Sequence, residues 1–243
     1  MITRILQGDT YRSNNKLLYG IMDGGRVGFH MNQSLQRQLD ILVGSLTYRP
    51  TMLLHSCCAP CSSYVLEYLA PFFHITIFYY NPNIIPSEEY QRRLEEQKRL
   101  LREMPATASV KMVEGEYDTE RFFHGIRGLE QEPEGGARCR ECFRMRLEAA
   151  ANKAGAIGFE FVGTTLSISP HKDAELVDTV LKESAVKANV KPLPADFKKK
   201  GGYQRSLVLS KDYGLYRQSF CGCPFSTGQY GPDKQQTKTP YDA

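Results

Sequence analysis

The chain has 243 residues, 41% hydrophobic and 24% charged, an ordinary globular composition that fills a substantial core without disulfides. No stretch supplies the ~20 apolar residues of a membrane-spanning helix, since the most apolar one, Tyr64 to Tyr80, is interrupted by Glu67, Pro71 and His74. Net charge is only +4, but nine Lys/Arg against three Asp/Glu between Lys182 and Arg217 give that segment a local excess of +6, which fits either a polyanionic partner or a solvated lysine-rich loop.

The opening residues, MITRILQGDTYRS, carry no sustained apolar core with a small-residue cleavage site. No signal peptide is expected, and the expected compartment is the reducing cytoplasm. Residues 1–48 read as an N-terminal extension, with an amphipathic helix over Gln33 to Val43 that aligns Leu35, Leu39 and Leu42. Residues 49–226 read as the catalytic domain. There, Thr51 to His55 is a short apolar strand and Tyr64 to Leu69 the helix after it. His74 to Tyr80 is a β-branched and aromatic strand ended by Asn81-Pro82-Asn83. Ser87 reads as the N-cap of a helix to about Met104, with Glu88 and Glu89 at its positive end and Pro105 stopping it. A strand over Ser109 to Val113 follows, then a helix over Cys139 to Ala154 ending at Gly155, and a strand over Phe159 to Gly163. Ser169-Pro170 reads as the start of the next helix. Residues 227–243 read as a disordered tail. The alternation predicts an α/β fold, a parallel sheet flanked by helices with its ligand site at the carboxyl ends of the strands.

The chemistry-bearing residues follow those strand ends. The seven cysteines fall into three sets: Cys57, Cys58 and Cys61; Cys139 and Cys142; Cys221 and Cys223. In a reducing compartment such sets are metal ligands or redox thiols rather than structural bridges. Two C-x-x-C loci brought together offer four thiolates, for tetrahedral zinc or for a four-iron cluster. Adjacent Cys57 and Cys58, whose side chains diverge, suit two irons of a cluster better than one zinc. The Cys221-Gly-Cys223 pair suits a reversible electron store or a second metal site, because its disulfide would close a small strained ring. With Cys57, Cys58, Cys139 and Cys142 on a cluster, Cys61, Cys221 and Cys223 remain for one additional iron.

These segments also resemble a known family. His55-Ser-Cys-Cys-Ala-Pro-Cys61, Asn81-Pro-Asn-Ile, Glu89-Tyr-Gln-Arg-Arg93, Cys139-Arg-Glu-Cys-Phe-Arg-Met-Arg-Leu147, Thr164-Thr-Leu-Ser-Ile-Ser-Pro170, Asp196-Phe-Lys-Lys and Tyr216-Arg-Gln-Ser-Phe-Cys-Gly-Cys223 are similar to the QueH-type epoxyqueuosine reductases over about Thr51 to Ser226. The resemblance implies a fold similar to the HUP-type nucleotide-binding domains. It implies cobalamin-independent reduction of the epoxide of epoxyqueuosine at the tRNA wobble position. It further implies a [4Fe–4S] cluster on Cys57, Cys58, Cys139 and Cys142, and a redox-active pair at Cys221 and Cys223. Some members carry Asp in place of Cys61, which implies a ligand role there. The mechanism expected from these parts is oxygen capture at the Cys61, Cys221 and Cys223 side with electrons from the cluster. An open iron would act there as a Lewis acid.

Other residues carry two readings each. Lys198, Lys199, Lys200 and Arg205 fit tRNA phosphates or a solvated face. Arg138, Arg140 and Arg144 fit cluster tuning or tRNA contact. Asn81, Asn83, Thr164, Thr165 and Ser167 fit a pocket wall or element ends. Tyr216 and Arg217 fit base recognition or packing, and His55 fits a packed strand-end residue, the preferred reading, or an electrostatic neighbour of the cysteines. The absence of a G-x-G-x-x-G fingerprint points to electrons arriving from a separate protein. The competing functions are a zinc-stabilised RNA-binding module and a thiol–disulfide oxidoreductase using Cys58 and Cys61.

Overall fold

The computed structural model describes residues 33–226; the expected tail and most of the expected N-terminal extension lie outside them. Five strands form one all-parallel sheet in the order β3-β2-β1-β4-β5: β1 Thr51–Ser56, β2 His74–Tyr79, β3 Lys111–Glu114, β4 Phe161–Thr164 and β5 Lys191–Pro192. Helices α1 Leu35–Ser45, α2 Ala59–Leu69, α3 Ser87–Glu103, α4 Thr119–Gly125, α5 Ala137–Ile157, α6 Ala174–Lys187 and α7 Gly202–Asp212 connect and cover it. This is the expected α/β architecture.

The period-2 alternation of β1 splits the core in two. Met52 and Leu54 face Val65, Leu66 and Leu69 of α2 and Tyr90 and Leu94 of α3, while Leu53 faces Phe143 and Leu147 of α5 and Val177 and Leu181 of α6. Leu39 of α1 is fully buried in the first of these clusters. The sheet order reverses between β1 and β4. Their carboxyl ends, Cys57 after β1 and Thr165 after β4, therefore flank the crevice where such sheets bind ligands.

Most elements were legible from the sequence; several boundaries and three elements were not. α2 begins at Ala59 rather than Tyr64, because Pro60 is tolerated in a first helical turn. Ser87 is the first residue of α3, and Pro86, with extended backbone, takes the cap position. α5 runs past Gly155 and ends at Gly158, whose left-handed φ of 88° makes it the true stop. Gly155 serves packing instead, since a Cβ there would sit 2.3 Å from the Ala188 carbonyl oxygen. After β4 the chain makes a 3-10 turn over Leu166–Ile168, and α6 starts only at Ala174, where Asp173 caps the amides of Glu175 and Leu176. α4, β5 and α7 had no counterpart in the sequence reading.

Candidate active site

All three cysteine sets meet at the carboxyl end of the sheet. Cys57 leaves β1, Cys58 caps α2 and Cys61 lies in its first turn; their sulfur atoms all lie within 4.8 Å of one another. The expectation that Cys57 and Cys58 diverge is not met. The extended backbone at Cys58 (φ −172°, ψ 159°) turns its Sγ back to 3.8 Å from that of Cys57. Cys139 and Cys142 occupy one face of the first turns of α5, and the Gly135 amide donates to Cys139 Sγ at 3.2 Å. Two helix N-termini thus point at thiol clusters, and their positive ends favour thiolates.

The sets adjoin two cavities. A small one of about 50 Å³ is walled by Cys139, Cys142, Cys221 and Cys223 together with His171 and Lys172. A larger one of about 320 Å³ is walled by Cys57, Cys61, Cys221, Asn83, Arg146, Lys172 and Arg217, which lies within the usual range for small-molecule sites. Cys221, Lys172, His171 and Glu134 border both. Both expected sets span the two cavities: Cys57 and Cys61 lie on the larger one with Cys58 beside them, Cys139, Cys142 and Cys223 line the small one, and Cys221 borders both. All seven cysteines are free thiols.

Protonation follows this packing. Cys58 and Cys61 donate to Cys57 and hold its pKa well below the ordinary thiol value, while the same contacts push Cys58 up to about 12 and raise Cys61. Burial raises Cys142 to about 11, Cys223 to about 12 and Cys139 by less. The sequence reading missed Lys172, which lies on the loop between the 3-10 turn and α6 and had no motif to mark it. Burial opposes its charge, yet Cys221, Cys57 and Cys61 together raise its pKa.

Arg146 bears on whether these residues fit a metal. It is 1% exposed, donates to Asn81 Oδ1 at 2.8 Å and contacts Cys142 Sγ at 3.7 Å, and its Nε has no partner. No carboxylate among the described residues pairs with it. A buried guanidinium calls for an anion, and metal-bound thiolates would supply one. The donor set, sulfur only at two helix N-termini with a buried cation behind it, fits a thiolate-ligated metal or iron–sulfur cluster.

The remaining sequence candidates divide between scaffold and surface. His55 is fully buried between Thr164 Oγ1 and the Tyr80 carbonyl oxygen; burial first, then Arg146, lower its pKa to about 3, so it is a neutral packing residue. Asn81 donates to the Ser56 carbonyl oxygen and accepts from Arg146, whereas Asn83 reaches the cavity wall. Thr165 Oγ1 lies 3.8 Å from Cys57 Sγ. Arg138 donates to the Glu130 and Glu132 carbonyl oxygens, and Arg144 pairs with Glu141 and Glu148. Tyr216 binds Glu89 through its hydroxyl and carries Arg92 on its ring face at 3.4 Å. Of the four expected phosphate contacts, Lys198 donates to the Ser167 and Lys172 carbonyl oxygens and pairs with Asp196. Lys200 pairs with Asp40 at 2.6 Å, and Arg205 grips both carboxylate oxygens of Glu67. Lys199 alone is exposed with no ion pair. Lys198 thus buttresses the loop that carries Lys172, an internal role that the run of three lysines concealed.

Comparison with known proteins agrees with this geometry. A family model described as Epoxyqueuosine reductase QueH matches residues 52–229. The chain is 44% identical over 192 residues to Epoxyqueuosine reductase QueH of Staphylococcus epidermidis, covering 77% of this chain and 81% of that protein. It is 42% identical to the Streptococcus pyogenes protein of the same name, covering 78% and 75%. It is 36% identical to that of Thermotoga maritima, covering 72% and 90%.

Proposed function

The chain belongs to the epoxyqueuosine reductase QueH family, and from that membership we propose that it reduces epoxyqueuosine to queuosine at the wobble position of tRNA, the last step of queuosine biosynthesis. The observation that carries the reading is the convergence of three thiol sets on two adjoining cavities bordered by Cys221 and Lys172. Neither a zinc-stabilised RNA module nor a generic thiol–disulfide oxidoreductase needs a nucleoside-sized cavity beside its thiols. No helix of the described residues is long and apolar enough to cross a membrane.

The reaction converts an epoxide, two electrons and two protons to an alkene and water. Oxidation of Cys221 and Cys223 to a disulfide releases two electrons and two protons, so that pair balances one turnover. In this reading Cys57, Cys58, Cys139 and Cys142 would hold a [4Fe–4S] cluster, whose chemistry when bound would be one-electron transfer toward the Cys221 and Cys223 pair. Cys61 and Cys221 share the larger cavity, so an additional iron would draw on them first, with Cys223 behind. The substrate ring enters that cavity past Arg217. Lys172 directs its ammonium at the junction, where it offers N–H donors to the epoxide oxygen as negative charge develops there. Lys199 meets tRNA phosphate, and a separate electron-donor protein reduces the centre.

The test is direct. Protein purified without oxygen is analysed for iron and sulfide, then given tRNA bearing epoxyqueuosine and a chemical reductant. The expected result is a coloured iron–sulfur protein and loss of one oxygen mass from the nucleoside. A colourless protein with one zinc, or a nucleoside of unchanged mass, would refute the reading.

A further inference from the structure

The Cys221-Gly222-Cys223 segment belongs to no strand or α-helix; the nearest regular element is a 3-10 turn starting at Pro224. Its order must come from elsewhere, and the contacts lead to one face of α3. Arg99 donates to the carbonyl oxygens of Tyr213 and Gly214. Glu96 accepts the Tyr216 amide at 2.6 Å, and Glu89 accepts the Tyr216 hydroxyl at 3.1 Å. Arg93 donates to the Cys221 carbonyl oxygen at 2.9 Å and to that of Phe220 at 3.4 Å, with its guanidinium 5.0 Å over the Phe220 ring. The Ile85 amide, just before α3, donates to the Gly222 carbonyl oxygen at 3.0 Å. Positions 89, 93, 96 and 99 lie three or four residues apart and therefore on one side of the helix.

Arg93 is the member of this row nearest the reacting sulfurs. It is 2% exposed, and Glu89 at 2.6 Å fixes its head from behind. A planar guanidinium can grip successive carbonyls in a fixed fork, which a lysine ammonium cannot. On the other side, Gly222 has a φ of +99°, and a Cβ there would lie 3.1 Å from Arg93 Nη1 and 3.0 Å from Ile84 Cγ1. A methyl group there would press on Arg93 and Ile84, which would have to give by a few tenths of an ångström, and it would strain the left-handed backbone.

The geometry points to Arg93 as the positioning residue of the redox loop: its guanidinium, held by Glu89, sets where Cys221 stands relative to Cys57, Cys61 and the larger cavity. Arg93 acts on the loop through main-chain carbonyls, and its side chain also lines the larger cavity, so the split between kcat and KM separates positioning of Cys221 from direct contact with the substrate. This assignment rests on the proposed reductase reading for its kinetic arm, while its structural arm stands apart from that reading.

The experiment compares the intact protein with Arg93→Lys and Gly222→Ala. Arg93→Lys keeps the charge opposite Glu89 and so keeps the fold. The first readout is hydrogen exchange of the Ile85 and Ser226 amides, which donate to the Gly222 and Cys223 carbonyl oxygens and should speed up by about tenfold or more as the loop is released, with sheet amides unchanged. The second is turnover: kcat should fall by roughly a hundredfold at near-constant KM, as expected for displacement of a reacting group by about an ångström. Gly222→Ala should reproduce both effects from the opposite side. Arg93→Lys with wild-type exchange at Ile85 and Ser226, or with faster exchange but wild-type kcat, would overturn the assignment. If the wild-type protein itself fails to reduce epoxyqueuosine, the reductase reading falls, while the exchange result still decides whether Arg93 holds the loop.

Discussion

Arg146→Met separates a structural arginine from one placed to balance metal-bound sulfur. Without metal, Cys142 is raised to about 11 and is a neutral thiol at pH 7, so Arg146 is a buried cation with only Cys57, whose pKa is lowered, as a nearby counter-charge. Its removal leaves Asn81 Oδ1 unpartnered, at a cost of about 1–3 kcal/mol, but relieves a desolvation penalty of several kcal/mol. The two nearly cancel, and the thermal midpoint of metal-free protein should move by less than about 5 °C. With metal bound, Cys142 is a thiolate at 3.7 Å. A charge pair at about 4 Å is worth about 4 kcal/mol at an effective dielectric of about 20, so metal retention should fall by up to about a thousandfold. The assay is thermal unfolding of the metal-free variant beside chelator competition on the loaded one. A metal-free variant destabilised by more than about 10 °C, or unchanged chelator resistance, would refute this account.

Cys221→Ser and Cys223→Ser should each abolish turnover while the visible absorption of anaerobic protein stays near normal; full activity in either would remove the dithiol from the mechanism. Lys172→Met should lower kcat by roughly a hundredfold or more with metal content unchanged, and a kcat within about twofold of wild type would show that the ammonium faces no developing charge. Gly155→Ala should lower stability by about 1–2 kcal/mol, the Ala188 carbonyl clash outweighing the helix-propensity gain, as read by denaturant midpoint; a stabilised variant would contradict the close approach of α5 to the end of α6. Lys199→Ala should reduce the salt dependence of tRNA binding by about one unit of slope, with Lys200→Ala and Arg205→Ala doing less because Asp40 and Glu67 already hold those side chains; the reverse order in filter binding would overturn this ranking.

Local pattern settled much of this protein by itself. The buried runs of β1 and β2 and the charge-paired α3 are governed by side-chain period and local chemistry, which any reader of the chain has in hand. The cysteine spacings likewise announced a thiol centre. Short edge elements such as β5 and α7 escaped because a two-residue strand and a helix begun by Gly202 carry no periodic signal. Tertiary structure alone decided that Cys221 is shared by both cavities. It also placed Lys172 at their junction and turned Lys198 inward to brace that loop. These assignments join residues tens to more than a hundred positions apart. What fixes them is the meeting of strand ends at the switch point and the burial of Arg93 and Arg146 against carbonyls, an amide and sulfur, which sequence distance does not encode.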